Sequence, residues 1–147
     1  LAKVDAVAPG NRALQAFMDQ AATGDYVALQ AYLMPTEATT AALQKVRLVL
    51  RDRYALATTV GYGPRFLHST GQLHKGDGGN GLFIQFVADD AQDVDIPDEA
   101  GSDESALSFG VLLRAQANGD RQALLDAGRR VIRFDLNGDV LAGLAAL

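Results

Sequence analysis

The chain has 147 residues, of which 48% are hydrophobic and 21% are charged, and its formal net charge is −5. These values are typical of one globular domain and exclude a disordered chain, while the acidic balance argues against a nucleic-acid partner. Because there is no cysteine and no apolar run of roughly 20 residues, disulfides, thiol chemistry and a membrane helix are excluded, and we expect a cytoplasmic protein without a membrane partner.

The first part of the chain predicts helices that alternate with strands. Apolar residues at helical spacing follow the breaker Pro9-Gly10, and short apolar runs between glycine and proline are typical of buried strands. Thr36 is the expected N-cap of the second helix. The predicted elements are a helix over 14–21, a strand over 26–33, a helix that begins near 36 and a strand over 55–60.

Both histidines and one of the four prolines lie in a glycine-rich segment, residues 61–79. Because this segment follows a predicted strand, we expect its first four residues to form a turn at the carboxyl edge of the sheet, where open α/β folds bind ligands. A helix that begins near Phe66 would place His68, Gln72 and Lys75 on one face. The segment is therefore the expected ligand-binding region.

The side chains of this segment suit a phosphorylated polyol. Arg65 can hold a phosphate through two hydrogen bonds, and hydroxyl and amide side chains can bind sugar hydroxyls. His68 is the candidate catalytic residue, because an imidazole can carry a proton near neutral pH. The candidate substrate-binding residues are Arg65, Ser69, Thr70, Gln72, His74 and Lys75.

Structural roles remain open for the same residues. The glycines and the proline can simply build a tight turn, and Lys75 can be a solvated charge at the end of a helix. The histidines can be hydrogen-bonded structural groups. Their separation does not fit the four-residue spacing of a helical two-histidine metal site, and the glycines match no nucleotide-binding fingerprint. We therefore expect no metal and no cofactor.

The second part of the chain predicts a central strand and an acidic loop before further helices. The aspartates of 89–105 lack the spacing of a calcium-binding loop, so a solvated loop is the better interpretation. Arg129 and Arg130 are expected to be surface charges, with contact to an acidic partner as the alternative. The predicted elements are a strand over 81–88, helices over 105–117 and 122–128, a strand over 129–136 and a helix over 140–147.

This order of elements predicts the fold class. Helices that alternate with strands imply a mainly parallel sheet covered on both faces. We expect an α/β protein with a three-layer sandwich, formed by residues 1–147 as a single domain.

One block of the sequence resembles a known family. Gly61-Tyr-Gly-Pro-Arg-Phe-Leu-His-Ser-Thr-Gly-Gln-Leu-His-Lys-Gly76 is similar to a block near the C-terminus of bifunctional transaldolase/glucose-6-phosphate isomerase proteins. The resemblance continues in order through Gly24 to Leu33, Ile96-Pro97 and Phe109 to Asp120. This sequence has Gly76-Asp77-Gly78 where that family has Gly-Gly-Pro after the lysine.

The resemblance implies a sugar-isomerase-like fold and a role in the interconversion of aldose and ketose phosphates. The chain would be the C-terminal domain of a longer polypeptide, with upstream isomerase and transaldolase domains as partners and glucose 6-phosphate or fructose 6-phosphate as the ligand. The family motifs that carry the base glutamate are not found in these 147 residues. We therefore expect the isolated chain to be inactive.

Two other functions remain open at this stage. A non-catalytic module would bind a sugar phosphate as a regulator or join the two halves of the enzyme. An independent isomerase would use His68 together with a carboxylate of a loop.

Overall fold

A parallel four-stranded sheet forms the centre of the protein in the computed structural model, which describes residues 10–147. Its strands are β1 (Tyr26–Tyr32), β2 (Ala57–Tyr62), β3 (Gly81–Val87) and β6 (Arg130–Asp135), in the order β2-β1-β3-β6. A separate antiparallel pair is formed by β4 (Asp95–Ile96) and β5 (Leu107–Ser108). The helices are α1 (Asn11–Met18), α2 (Glu37–Tyr54), α3 (Thr70–Lys75), α4 (Phe109–Asp126) and α5 (Val140–Ala145).

Helices cover both faces of the sheet, which confirms the predicted three-layer α/β sandwich. Strand side chains such as Leu29 and Phe86 belong to one large core together with residues of α1, α2 and α5. On the other face, α4 packs through Leu124 against Phe83 and through Ala117 against Val87. Because side chains alternate along each strand, the helices seal the sheet from two sides.

Several helix and strand ends follow from local chemistry. The Thr36 hydroxyl accepts a hydrogen bond from the Thr39 amide at 3.0 Å, which confirms the predicted N-cap. Ala55 adopts a left-handed backbone with φ 53° and ends α2, so β2 begins at Ala57 and not at residue 55 as predicted. At the other end of the chain, Asp139 caps α5 in the predicted tail. Pro9 lies outside the described residues.

Two helix predictions were wrong. The helix expected from Phe66 begins only at Thr70, because residues 63–69 form consecutive turns in which the Phe66 carbonyl accepts from the amides of Ser69 and Gly71. The two helices expected over 105–117 and 122–128 are the single helix α4. Gly119 does not break this helix, since a helical glycine costs only about 1 kcal/mol and buried residues pack on both sides of it.

Candidate functional site

A cleft of about 520 Å³ opens at the carboxyl edge of the sheet. The ends of β1 and β3 contribute Tyr32 and Val87 to its lining, and α4 contributes a wall that includes Leu113 and Ala117. The loop after β3 adds carboxylates to the rim, at Asp89, Asp90 and Asp93. The cleft therefore combines an apolar floor with an acidic rim, at the edge where parallel sheets bind ligands.

Two of the rim carboxylates are already engaged. Asp89 pairs with Arg114, and this guanidinium holds the pKa of the Asp89 carboxyl below its usual range. Asp93 accepts hydrogen bonds from the Ser108 hydroxyl and from the Gly110 amide, so it stabilises the first turn of α4, and these bonds lower the pKa of Asp93. Asp90 has no cationic partner among the described residues and leaves a net negative charge on the rim.

The turn after β2 lies directly beside this cleft. Gly63 approaches Tyr32 so closely that a Cβ atom there would stand 2.4 Å from the Tyr32 ring. Phe66 packs edge-on against the same ring, with centroids 6.0 Å apart. Tyr32 thus separates the two features: it lines the cleft on one side and supports residues 63–69 on the other.

The structure divides the seven predicted site residues into an exposed and a covered set. The exposed set comprises Arg65, His68, Ser69, Thr70 and Gln72, all on the turns after β2 or on α3. His74 is 8% exposed and Lys75 is half-buried. None of the seven lines the cleft. Since His68 precedes α3, the predicted alignment of His68, Gln72 and Lys75 on one helical face is not formed.

His74 lies beneath the segment among aromatic rings. Its ring centroid is 5.0 Å from that of Phe83, and its Nδ1 is 3.3 Å from the amide nitrogen of Gln30. Burial lowers the pKa of His74, and the nearby carboxylates of Asp120 and Asp77 oppose this effect only in part. A neutral imidazole that is enclosed in this way suits a structural role better than contact with a ligand.

Lys75 connects the segment to α4. Its Nζ is 2.7 Å from Oδ1 of Asp120, whose side chain is fully buried, and the Tyr32 hydroxyl donates to Oδ2 of the same carboxylate at 3.2 Å. Burial and the neighbouring carboxylate raise the pKa of Tyr32. The Lys75–Asp120–Tyr32 chain therefore ties the end of α3 to the residue that borders the cleft.

A buried polar row that the sequence analysis missed crosses three strands. Gln30, Gln85 and Arg133 are paired partners in the sheet register. Arg133 donates to Oε1 of Gln85 at 2.6 Å and to the Ala117 carbonyl at 2.9 Å. Burial, with the charges of nearby arginines, lowers the pKa of Arg133 to about 10, so it stays cationic at neutral pH. Oε1 of Gln30 is buried without a hydrogen-bond partner among the described residues.

A signal for this row is present in the sequence. Both central strands have one glutamine at their fifth position, in the runs Tyr26-Val-Ala-Leu-Gln-Ala-Tyr32 and Gly81-Leu-Phe-Ile-Gln-Phe-Val87. A single polar residue at matching positions of two otherwise apolar neighbouring strands predicts a buried polar contact between them.

The opposite, amino edge of the sheet is closed by two arginines. Arg129 pairs with Asp77 at 2.9 Å and also donates to the Lys75 carbonyl. Arg130 pairs with Asp25 at 2.9 Å and donates to the Gln20 carbonyl. Both guanidinium groups thus hold loops together and are more than surface charges, since each pairs with an aspartate of this chain.

Within residues 10–147, no group of three or more histidine or acidic side chains is arranged to hold a metal ion. In the same part of the chain, none of the helices has the length and apolar character that crossing a lipid bilayer requires.

Comparisons with known proteins bear on the fold alone. No family model matches the chain, and neither does any curated protein. A crystal structure of the hypothetical protein TT0462 from Thermus thermophilus is similar, with a TM-score of 0.68 and 19% sequence identity over 92% of this chain. The chain spans about a third of that protein, or 35% of its length. The similarity therefore shows that this α/β architecture also occurs as part of a larger protein.

Proposed function

We propose that the chain is a domain of a glucose-6-phosphate isomerase/transaldolase fusion and that residues 61–76 face the sugar phosphate. One observation carries the proposal. The block that resembles this family begins in the last two residues of β2, turns at the carboxyl edge of a parallel sheet and presents Arg65 and His68 to solvent. This is the edge at which open α/β sheets bind ligands.

Different exposed side chains bind the phosphate group and the sugar hydroxyls of the ligand. The guanidinium of Arg65 binds the phosphate, and the hydroxyl and amide groups of Ser69, Thr70 and Gln72 bind the sugar hydroxyls. His68 acts in the ring opening of glucose 6-phosphate: its imidazole takes the proton of the C1 hydroxyl, the bond between C1 and the ring oxygen breaks to leave an aldehyde, and the imidazole returns the proton to the ring oxygen.

The covered residues position this surface. Phe66 and His74 anchor the segment from below, and Lys75 fixes its end through Asp120. The later proton transfer between C1 and C2 needs a carboxylate base, which the proposal places in another part of the polypeptide. The isolated chain therefore binds the sugar phosphate without converting it.

The test is an NMR titration of the isotopically labelled chain with fructose 6-phosphate. We expect saturable shift changes in residues 61–76 that inorganic phosphate alone does not produce. Arg65→Gln should raise the dissociation constant by about tenfold or more, because a charge-assisted hydrogen bond contributes roughly 1.5–3 kcal/mol. The matched control is Arg12→Gln, which removes an exposed arginine of α1 and should leave the affinity unchanged.

A second variant separates binding from chemistry. His68→Asn keeps a polar side chain, so binding should weaken only slightly, while isomerase activity of the fusion polypeptide should fall by about 10²-fold or more. Identical shift changes with phosphate and with fructose 6-phosphate would reject the sugar site. Shift changes confined to the cleft beside Tyr32 would show that the ligand binds elsewhere.

A further inference from the structure

Three exposed apolar side chains lie at the start of α4 or on the segment that pairs with it. Val111 lines the cleft and is itself 56% exposed, and Phe109 beside it is 57% exposed. Val94 is 61% exposed and adjoins them, because its carbonyl accepts a hydrogen bond from the Phe109 amide at 2.9 Å. The apolar area is thus larger than the cleft, which favours a polypeptide over a small molecule as its occupant.

The segment that connects the rim of the cleft to α4 carries most of the unneutralised negative charge of residues 10–147. Residues 89–104 contain eight acidic side chains, and no lysine or arginine occurs between Lys75 and Arg114. Apart from the pairing of Asp89 with Arg114, none of the eight has a cationic partner within residues 10–147. Without these eight charges the rest of the chain would be net positive. Such a concentration specifies the sign of the partner's charge.

We propose that this acidic docking surface, formed by the cleft, by Val94, Phe109 and Val111 and by the acidic residues 89–104, binds a basic amphipathic helix of a partner polypeptide. The cleft lies along α4 from Gly110 to Asn118, about two helical turns, which is the shape that a second helix fits.

The acidic docking surface and a basic amphipathic helix are chemically complementary. Apolar side chains of the incoming helix fill the cleft over Val87, Leu113 and Ala117. Its lysine or arginine residues meet Asp90 at the rim and the exposed Asp95 on β4. Nucleic acid is repelled by the same carboxylates. The proposal does not depend on the sugar-phosphate role, because residues 61–76 do not line the cleft.

The test uses two synthetic amphipathic helices of about 18 residues with identical leucine positions, one with lysine and one with glutamate on the polar face. Isothermal titration calorimetry measures their affinity for the chain, and NMR shift changes locate the binding. We expect saturable binding of the lysine helix, with shift changes in residues 87–118, and no binding of the glutamate helix. Added salt should weaken the complex.

Charge-changing variants distinguish binding at this surface from non-specific attraction of a cationic peptide to an acidic protein. The variant Asp90→Lys/Val111→Lys should weaken binding of the lysine helix by at least about tenfold. The control Asp19→Lys/Val49→Lys changes an exposed aspartate and an exposed valine that do not line the cleft, adds the same three units of positive charge, and should change the affinity by less than about twofold. NMR spectra of both variants verify that they are folded.

Three results would overturn the proposal. The first is equal weakening by the two variants, and the second is binding of the glutamate helix. The third is the absence of any binding by the lysine helix at millimolar concentration. Fructose 6-phosphate titrations of the same variants should be unaffected, so failure of the docking surface and failure of the sugar site are separate outcomes.

Discussion

The two faces of the central sheet differ in the polarity of the side chains that they bury. The face under α1, α2 and α5 is mostly apolar, with Leu29, Ile84 and Phe134 in one continuous core. The face under α4 has two small apolar clusters, and the row of Gln30, Gln85 and Arg133 lies between them in the register of the strands.

The difference separates stability from positioning. Burial of apolar surface stabilises the first face without directional requirements, whereas buried polar groups must each find a partner of the right geometry. On the second face, Arg133 bonds to the helix carbonyl of Ala117, and Asp120 bonds to Lys75 and Tyr32. We infer that these hydrogen bonds and the ion pair hold α3 and α4 at one position over the sheet. They thereby also position the cleft and residues 61–76.

The largest expected effect is on the apolar face. Phe86 is fully buried and stacks on Phe134 with centroids 6.0 Å apart, so Phe86→Ala should lower the free energy of unfolding by about 3–5 kcal/mol. Urea denaturation measures the loss. Val49→Ala, at an exposed position of α2, is the control and should cost less than about 0.5 kcal/mol. A loss below about 1 kcal/mol for Phe86→Ala would contradict the stabilising role of this face.

The next effect tests the polar face. Asp120→Ala leaves the half-buried Lys75 ammonium and the Tyr32 hydroxyl without their partner, and it should cost about 3 kcal/mol. The double variant Lys75→Met/Asp120→Ala removes the unpaired cation as well. We expect it to be more stable than the sum of the two single changes predicts, by about 1 kcal/mol or more. Strict additivity in urea denaturation would show that the two side chains do not interact.

The burial of His74 on the polar face predicts how the free energy of unfolding depends on pH. Burial lowers the pKa of His74 in the folded state. As the pH falls, this imidazole is therefore protonated in the unfolded chain before it is protonated in the folded protein, and this shifts the equilibrium towards unfolding. The free energy of unfolding should therefore fall as the pH drops below about 6.5 and level off below the folded pKa. His74→Gln lacks this contribution. Urea denaturation at a series of pH values should show the wild-type advantage shrinking towards acid, and parallel curves would refute the buried neutral imidazole.

The smallest expected effect is an increase in the free energy of unfolding. Gly119 lies inside α4 with no atom within 4 Å of a Cβ placed there, so Gly119→Ala should stabilise the protein by about 0.5–1 kcal/mol. Gly63→Ala is the contrasting variant, because the new methyl group would collide with the Tyr32 ring and should destabilise the protein. Thermal unfolding compares the two, and equal shifts in Tm would contradict the contact between Gly63 and Tyr32.

The sequence was sufficient to locate the four strands of the main sheet, because these strands have strong local signals, but it predicted neither their order nor the short pair β4-β5. Tyr26 to Tyr32 and Gly81 to Val87 are apolar runs between breakers, and both form buried strands near the predicted limits. Thr36 was predicted as an N-cap from its hydroxyl and its position alone. Errors occurred where distant residues decide the structure. Gly119-Asp120 is a breaker by composition, yet the Asp120 carboxylate is held inside by Lys75 and Tyr32.

The candidate site was predictable only in part. The turn at the carboxyl edge follows from the strand before it, although β2 extends to Tyr62 and the turn therefore begins at Gly63 and not at Gly61. The end of the segment lies at the opposite edge, where Arg129 holds the Lys75 carbonyl and Asp77. The burial of His74 depends on Tyr26 and Phe83, which come from β1 and β3 and not from the segment itself. The cleft was not predicted, because its walls come from β1, β3 and α4 and no local pattern brings these together.

The strictly parallel pairing of the sheet has a consequence for folding kinetics. Paired residues such as Tyr26 and Ala57, Tyr26 and Gly81, and Leu82 and Arg130 are 31, 55 and 48 positions apart in the chain. The main sheet therefore cannot start from a hairpin, and its first pairing must close a loop that contains α2 or an even longer segment. We expect a transition state that already contains β1 with one neighbour, and refolding that is slow compared with helical domains of similar length.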